Sequence, residues 1–432
     1  MSARRLLRAC AAALLLAAGS APAQDLLIRN ATVHTADAAS GTLRGADVLV
    51  RGGRIAAVGR ALAAPAGTTV VEAGGRPLTP ALFAGINDIG VEEVSGEGAT
   101  VDASLALGAN AADMRVRPEF DVTLAYNPDS VLVPVARVEG LGWSLLAAGS
   151  KPGGSFVGGQ GGVVRLDGSL DAVGPRALFV TLGGEGASLS GSSRAAQWML
   201  LDQLRDEARG RIGPDSPFAL LTPAGRSTLA RYLGGQGRVL VRVQRAADIL
   251  RTLRWAQANG VQLALVGASE GWKVAPQIAA AKVPVFVDVL ANLPGDFDEL
   301  AATAENAARL HAAGVPVAFY RSDDASHNAR KIRQVAGNAV AYGLPWEAAL
   351  AGLTTVPARA LGVEAQVGSR IAPGQRADLV LWSGDPLDVA SIAEQLWLDG
   401  RALPMRSRQT ELRDRYLHPD HGLPRAYPEP AR

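Results

Sequence analysis

Short apolar runs alternate along most of this chain with longer segments that repeat apolar residues every three or four positions. Between about Ala81 and Val363 the strand-like runs are Leu82–Asp88, Trp143–Ala148, Ala177–Leu182, Val239–Val243, Gln262–Val266, Val283–Val289 and Val315–Phe319. Helical spacing separates most of them, over Ser193–Ala208, Ala246–Asn259 and Asp298–Ala313. The last two stop at Gly260 and Gly314, where a left-handed residue ends a helix without strain. This alternation predicts an α/β fold with a mostly parallel sheet. Seven strands are distinct, and loop-rich insertions at Asp102–Gln160 and Pro214–Gly237 blur the eighth.

The two ends have another rhythm. DLLIRNATVHT, ADVLVRGGRIAAVG and TTVVEAGG in residues 25–75, and ADLVLWSGDPLDV and EQLWLDGRALP in residues 377–404, alternate apolar and polar positions over short strands. Gly52-Gly53 reads as a hairpin turn. His34 stands alone in the first of these strands, which points to a structural or exposed residue rather than a ligand.

Length and charge narrow the picture. The chain has 432 residues, 48% of them hydrophobic, enough for one barrel of about 250 residues and a smaller unit. Residues 1–23 read as a secretory signal: Arg4, Arg5 and Arg8 precede an apolar stretch from Ala9 to Gly19, and Ala21-Pro22-Ala23 forms a small-x-small cleavage site. Cleavage after Ala23 would take the formal charge from +2 to −1, which gives no reason to expect nucleic acid or an anionic membrane as partner. The apolar stretch is too short to span a bilayer. The single cysteine, Cys10, leaves with the signal, which suits an oxidising compartment. The expected location is the periplasm.

The stretch Leu78 to Val94, LTPALFAGINDIGVEEV, carries the most information. It resembles the first barrel strand of the amidohydrolase superfamily, where P-G-L-I-D-x-H-x-H leads to paired acids. GQRADLVLW, VDVLANLPGDFDELAATAENAARLHAAGV and SHNARKIRQVAGNAVAYGLPWEAALAGLTTVPARALGV extend the likeness over nearly all of residues 25–403. They are similar to an exported, imidazolonepropionase-like group of that superfamily. The resemblance implies a distorted TIM (β/α)8-type barrel at residues 81–365. It also implies a small composite β-sandwich built from residues 24–80 and 366–404, with a polar tail at 405–432.

What the resemblance implies about chemistry is hydrolysis of carbon–nitrogen bonds in small amide or peptide-like substrates. The family uses metal ligands at the C-terminal ends of the strands and an Asp that takes a proton from metal-bound water. In register, Ile86 and Asp88 stand at the first two histidine positions, Arg242 and Gln244 on VLVRVQ at the next pair, and Gly267 on LALVGASEG at the last, with Glu270 kept. Asp323 or Asp324 falls at the proton acceptor's place, the register being open by one residue, and His327 follows. A guanidinium cannot ligate a cation and repels one, so the expectation is a site without metal. Zinc enters only through an unusual ligand set. Arg242 is expected to fill the vacated site by pairing with Asp88, Asp323 or Asp324.

Three readings follow. One is a hydrolase with an unusual site built on Asp88, Glu92, Glu270, Asp323 or Asp324, and His327. Another is a metal-free pseudoenzyme that binds a small amide-like ligand, forms homo-oligomers or pairs with an active relative. A third uses Ser269, since Gly267-Ala268-Ser269-Glu270-Gly271 matches G-x-S-x-G after a strand, with Asp288, Asp323, Asp324 and His327 following. Gly158-Gly159-Gln160-Gly161-Gly162 lacks the Lys-Ser/Thr of a phosphate loop and reads as a tight loop over the pocket. His311 on a helix, and His418 and His421 in the tail, are poorly placed as ligands.

Overall fold

The computed structural model describes residues 25–106, 116–152, 154–322 and 325–417. The expected signal segment with Cys10, the two candidate acids Asp323 and Asp324, and the tail histidines His418 and His421 lie outside the described residues.

Sixteen strands among the described residues form two sheets. The chain begins with β1 (Leu26–His34), β2 (Thr42–Arg51), β3 (Arg54–Gly59), β4 (Thr69–Glu72) and β5 (Pro77–Pro80). It continues through β6 (Leu82–Asn87), β7 (Leu141–Leu146), β8 (Val157–Arg165), β9 (Val173–Thr181), β10 (Val239–Val243), β11 (Leu263–Gly267), β12 (Val285–Val287) and β13 (Val317–Phe319). It returns with β14 (Leu379–Trp382), β15 (Ala393–Leu398) and β16 (Arg401–Ala402). The first sheet runs β16-β15-β14-β5-β1-β2-β3, with β4 beside β1. Both chain ends therefore share one sheet, joined where Leu78, Thr79 and Pro80 face Leu381, Val380 and Leu379. Alternation along these strands buries Leu26, Ile28, Val48, Val50, Leu78, Leu379 and Trp397 in a core of their own. The turn between β2 and β3 uses Gly52 and Gly53, both at positive φ, as expected of a two-residue hairpin. His34 packs its ring 4.6 Å from Trp346, with Nδ1 at 2.9 Å from Thr42 Oγ1. Burial lowers its pKa, which fits a structural residue.

The second sheet runs β13-β12-β11-β10-β9-β8-β7-β6 and nearly closes into a barrel. Six of its strands read as expected to within a few residues at the ends. Strand β9 starts earlier, at Val173. The eighth strand is the surprise. The glycine run expected to be a loop over the pocket is β8, buried along its whole length and antiparallel to both neighbours. Close approach explains its composition: a Cβ at Gly161 would lie 1.9 Å from the Leu146 carbonyl oxygen, and one at Gly158 2.7 Å from that of Ala148. Periodicity could not show this strand, because glycine contributes no apolar signal. Two further corrections concern helices. The insertion at Pro214–Gly237 contains a helix, Pro223–Leu233, started by Pro223 at its first turn and by Thr222 Oγ1, which accepts from Gly225 N. Of Asp298–Ala313 only Asn306–Ala312 is α-helix, because residues 298–301 are engaged at the barrel mouth.

A buried ion cluster fastens the composite sheet to the barrel. Arg165, at the end of β8, donates to both Asp378 oxygens at 2.8 and 3.1 Å, to Asp167 at 2.9 Å and to Asp399 at 3.0 Å. Its side chain is 5% exposed and that of Asp378 2%. Asp378 also accepts from Gly368 N and Asp399 N, so its lone pairs are filled. Burial would raise the Asp167 pKa, but hydrogen bonds from Ser169 and Arg165 outweigh it and hold the group at about 2. Asp399 moves the other way: burial raises it, and the neighbouring Asp378 adds to that against Arg165.

Replacing Arg165 with Met would leave Asp378 and Asp167 without their cation, and a loss of about 3–5 kcal/mol is expected in urea unfolding. Acid tests the same cluster. Asp167 has a folded pKa below its unfolded value, so its contribution is full above the usual carboxylate range and is lost as pH falls towards 2. Asp399, raised, works in the opposite sense. An Asp167→Asn variant should unfold with a flatter pH dependence between about pH 4 and 2 than the parent.

Candidate functional site

Side chains on alternate positions of a barrel strand point inward. On β10, Leu240 and Arg242 face the interior with Ile86 of β6, Phe179 and Thr181 of β9, and Val266 of β11, around a cavity of about 160 Å³. Residues 147–150 after β7 and Glu185 complete its wall. Two of the expected histidine positions, 86 and 242, therefore meet in one cavity. The first is hydrocarbon and the second a fixed cation.

Arg242 does not make the expected ion pair with Asp88; among the described residues it makes none. Its guanidinium carbon lies 5.8 Å from the centre of the Tyr320 ring. The strand direction explains the difference. Arg242 lies within β10, opposite Thr181 and Val266, and so opens onto the central cavity. Asp88 stands one residue beyond the end of β6, half-buried, where its carbonyl oxygen accepts from Val91 N and Glu92 N at 2.9 Å. Tyr320 is fully buried, and burial raises its pKa to about 12 against the opposing pull of Arg242, so the phenol stays neutral.

The pair 244 and 267 forms a second, smaller pocket of about 20 Å³, with Ser269, Asp288, Glu299 and Tyr320 in its wall. Gly267 has φ +88°. The Gln244 amide fills the space its side chain would take: a Cβ there would lie 2.4 Å from Gln244 Oε1. That oxygen accepts from Ser269 N at 3.2 Å and Ser269 Oγ at 2.9 Å. Ser269 Oγ also lies 3.2 Å from Glu299 Oε1. No histidine contacts Ser269 among the described residues. The positive φ falls on Ala268 (+48°), one residue before the serine. The serine-nucleophile reading fails on both counts.

Glu270, expected to line the pocket, is a fastening instead. Its carboxylate accepts from Ala246 N at the start of the helix Ala246–Asn259, from Ala301 N, and from Lys273 Nζ. Glu92 is buried in the turn after β6, where its backbone bridges Ile89 and Val101. His327 is half-buried on the short helix Ala325–Asn328 and lines neither cavity. The residues that sequence reasoning passed over are Arg321 and Tyr320 after β13, and Asp288 in the role it takes after β12. Asp288 accepts from Ser322 N and Oγ at 3.0 and 2.8 Å and pairs with Arg321 at 3.3 Å. A charged residue directly after an apolar strand at the C-terminal face was the available signal.

The family's metal can now be tested against these side chains. A divalent ion wants three or four imidazole or carboxylate donors. Ile86 offers none, Arg242 is a cation, and the Gln244 amide takes the side-chain space at Gly267. These three described positions supply no donor for such an ion. Among the described residues no cluster of three or more His, Cys, Asp or Glu is arranged to hold one.

A nearly closed α/β barrel joined to a composite sheet from both chain ends is a TIM-like barrel with an added domain. The chain is similar to members of the amidohydrolase superfamily. A profile of the Amidohydrolase family matches residues 234–403. An amidohydrolase from Thermotoga maritima superposes with a TM-score of 0.77 at 26% identity, covering 88% of this chain and all of that one. Molinate hydrolase shares the fold at a TM-score of 0.53 and 14% identity, over 96% of this chain and 99% of its own. Amidohydrolase tasK of Hapsidospora irregularis is 43% identical over 84 residues, 19% of this chain, which spans only 8% of that protein's length.

Gly267→Ala should displace Gln244 and impose a left-handed alanine, destabilising by about 1–3 kcal/mol. Adding Gln244→Ala should recover the steric part and leave the backbone part. Denaturant unfolding of the two single variants and the double variant separates them; strict additivity would mean that the side chain at 244 is not what fills the space.

Proposed function

We propose that this protein is a metal-free member of the amidohydrolase superfamily that binds a small molecule in its barrel, and that it acts after export to the periplasm. The observation that carries the reading is the fate of positions 86, 242 and 267. Their places hold a hydrocarbon, a guanidinium and a glycine whose side-chain volume belongs to Gln244. A cavity of about 160 Å³ remains at the barrel's C-terminal face, where ligands of this architecture bind. The N-terminal signal pattern supports export, and no helix among the described residues is long and apolar enough to cross a membrane. Hydrolysis of a carbon–nitrogen bond, the family's usual reaction, would need a water activated without the usual ligands. Glu270, one acid offered for that role, is committed to Ala246, Ala301 and Lys273.

Elemental analysis of the purified protein, prepared without added metal, should find less than about 0.2 equivalents of zinc, manganese, iron or nickel. Close to one equivalent of tightly held metal would overturn the reading. Histidines restored together at 86, 88, 242 and 267 should still bind zinc poorly while Gln244 is present, because the new imidazole at 267 and the Gln244 amide compete for one space. Adding Gln244→Ala should strengthen binding.

A further inference from the structure

The central cavity has two chemically different ends. Ile86, Phe179, Leu240 and Val266 make one side hydrocarbon. The other carries Arg242 with the hydroxyls of Thr181 and Ser150, whose oxygens lie 3.3 Å apart. Arg242 is half-buried, always charged, and without an ion pair among the described residues. The nearby carboxylates are otherwise engaged or face water. Asp288 is held by Arg321 and Ser322, Glu299 lies against Ser269, and Glu185 is exposed at the rim. A fixed cation at the polar end of an apolar cavity calls for an anion with an apolar body.

We propose that the cavity binds a small monocarboxylate, with the carboxylate on the Arg242 guanidinium and a branched aliphatic or single-ring body against Ile86, Phe179, Leu240 and Val266. This rests on the metal-free reading of the barrel. The volume sets the size, since a cavity of about 150 Å³ holds a body the size of benzene. The planar fork of an arginine matches a carboxylate with two parallel hydrogen bonds. Thr181, directly beside Arg242 across the β9–β10 ladder, supplies a hydroxyl within the same polar end.

The test is calorimetric titration of the purified protein with isovalerate and benzoate, and with isovaleramide as a neutral analogue of the same shape. The carboxylates should bind at least about tenfold more tightly than the amide, and binding should weaken with added salt. Arg242→Met should lose about tenfold to a hundredfold in carboxylate affinity. It should also remain folded, with an unchanged or higher melting temperature, because it removes an unpaired charge. Arg242→Lys keeps the charge without the fork and should fall between. Ile86→Phe, which fills the cavity but leaves the cation, should abolish binding of both acids. Equal binding of acid and amide, or an Arg242→Met variant that binds isovalerate like the parent, would overturn the proposal. Metal content of the same sample separates the two levels. A metal-free protein that ignores both acids refutes only the carboxylate site. Acid binding that disappears on chelation, with about one equivalent of metal present, refutes the metal-free reading itself.

Discussion

The architecture hangs on Arg165. Five of the strands that build the composite sheet precede the barrel and three follow it, so the sheet exists only if the two chain ends are brought together. Residues 378 and 399 come from the returning end, and Arg165 from the barrel strand β8. One guanidinium thus joins the closing segment to the barrel wall, almost out of contact with water. Such a cluster is a demanding way to hold a fold, because each charge must lose its hydration. It is tolerated here because Asp378 receives four hydrogen bonds, two from Arg165 and two from backbone amides. Hydrophobic contact alone would not select a single relation between sheet and barrel, whereas a fixed fork with fixed acceptors does.

A second constraint runs around the barrel mouth. The segment after β12 is tied down at Asp298 by Gly184 N and Arg194, at Ala301 by Glu270, and at the Ala301 carbonyl by Trp272 Nε1. These bonds take residues that could have extended the following helix. They also commit the carboxylate of Glu270 to two backbone amides and Lys273. The Glu270 carboxylate organises the loops around it. The mouth is hydrogen-bonded and polar at its rim, and the cavity beneath is largely apolar.

Much of this could be read from the chain before any coordinates. Parallel strands with helices between them announce themselves through apolar runs and periodic segments, and β10 and the helix Ala246–Asn259 have the boundaries expected. Register along a strand also predicts which residues share a side, and Ile86 and Arg242 do line one cavity. Partners were not legible. Arg242 and Asp88 were expected to pair, yet one opens on the cavity and the other stands beyond its strand, a distinction set by where each strand ends. Gln244 taking the space beside Gly267 is a packing event between two strands and leaves no trace in either sequence run. The glycine-rich β8 was hidden for a related reason: its residues are chosen for what the neighbouring backbones leave no room for, not for what they bury.

That antiparallel strand has a consequence for how the barrel assembles. A parallel neighbour must be reached by a long crossover, as between β9 and β10, which are separated by residues 182–238. The β7–β8–β9 meander is instead closed by two short connections, residues 147–156 and 166–172. The entropy lost in closing a loop grows with its length, so these three strands are the least costly part of the barrel to bring into register. The same short connections place Arg165 at the end of a hairpin that precedes the last strands in the chain. In the order of the chain, the latch residue thus comes before the segment it fastens.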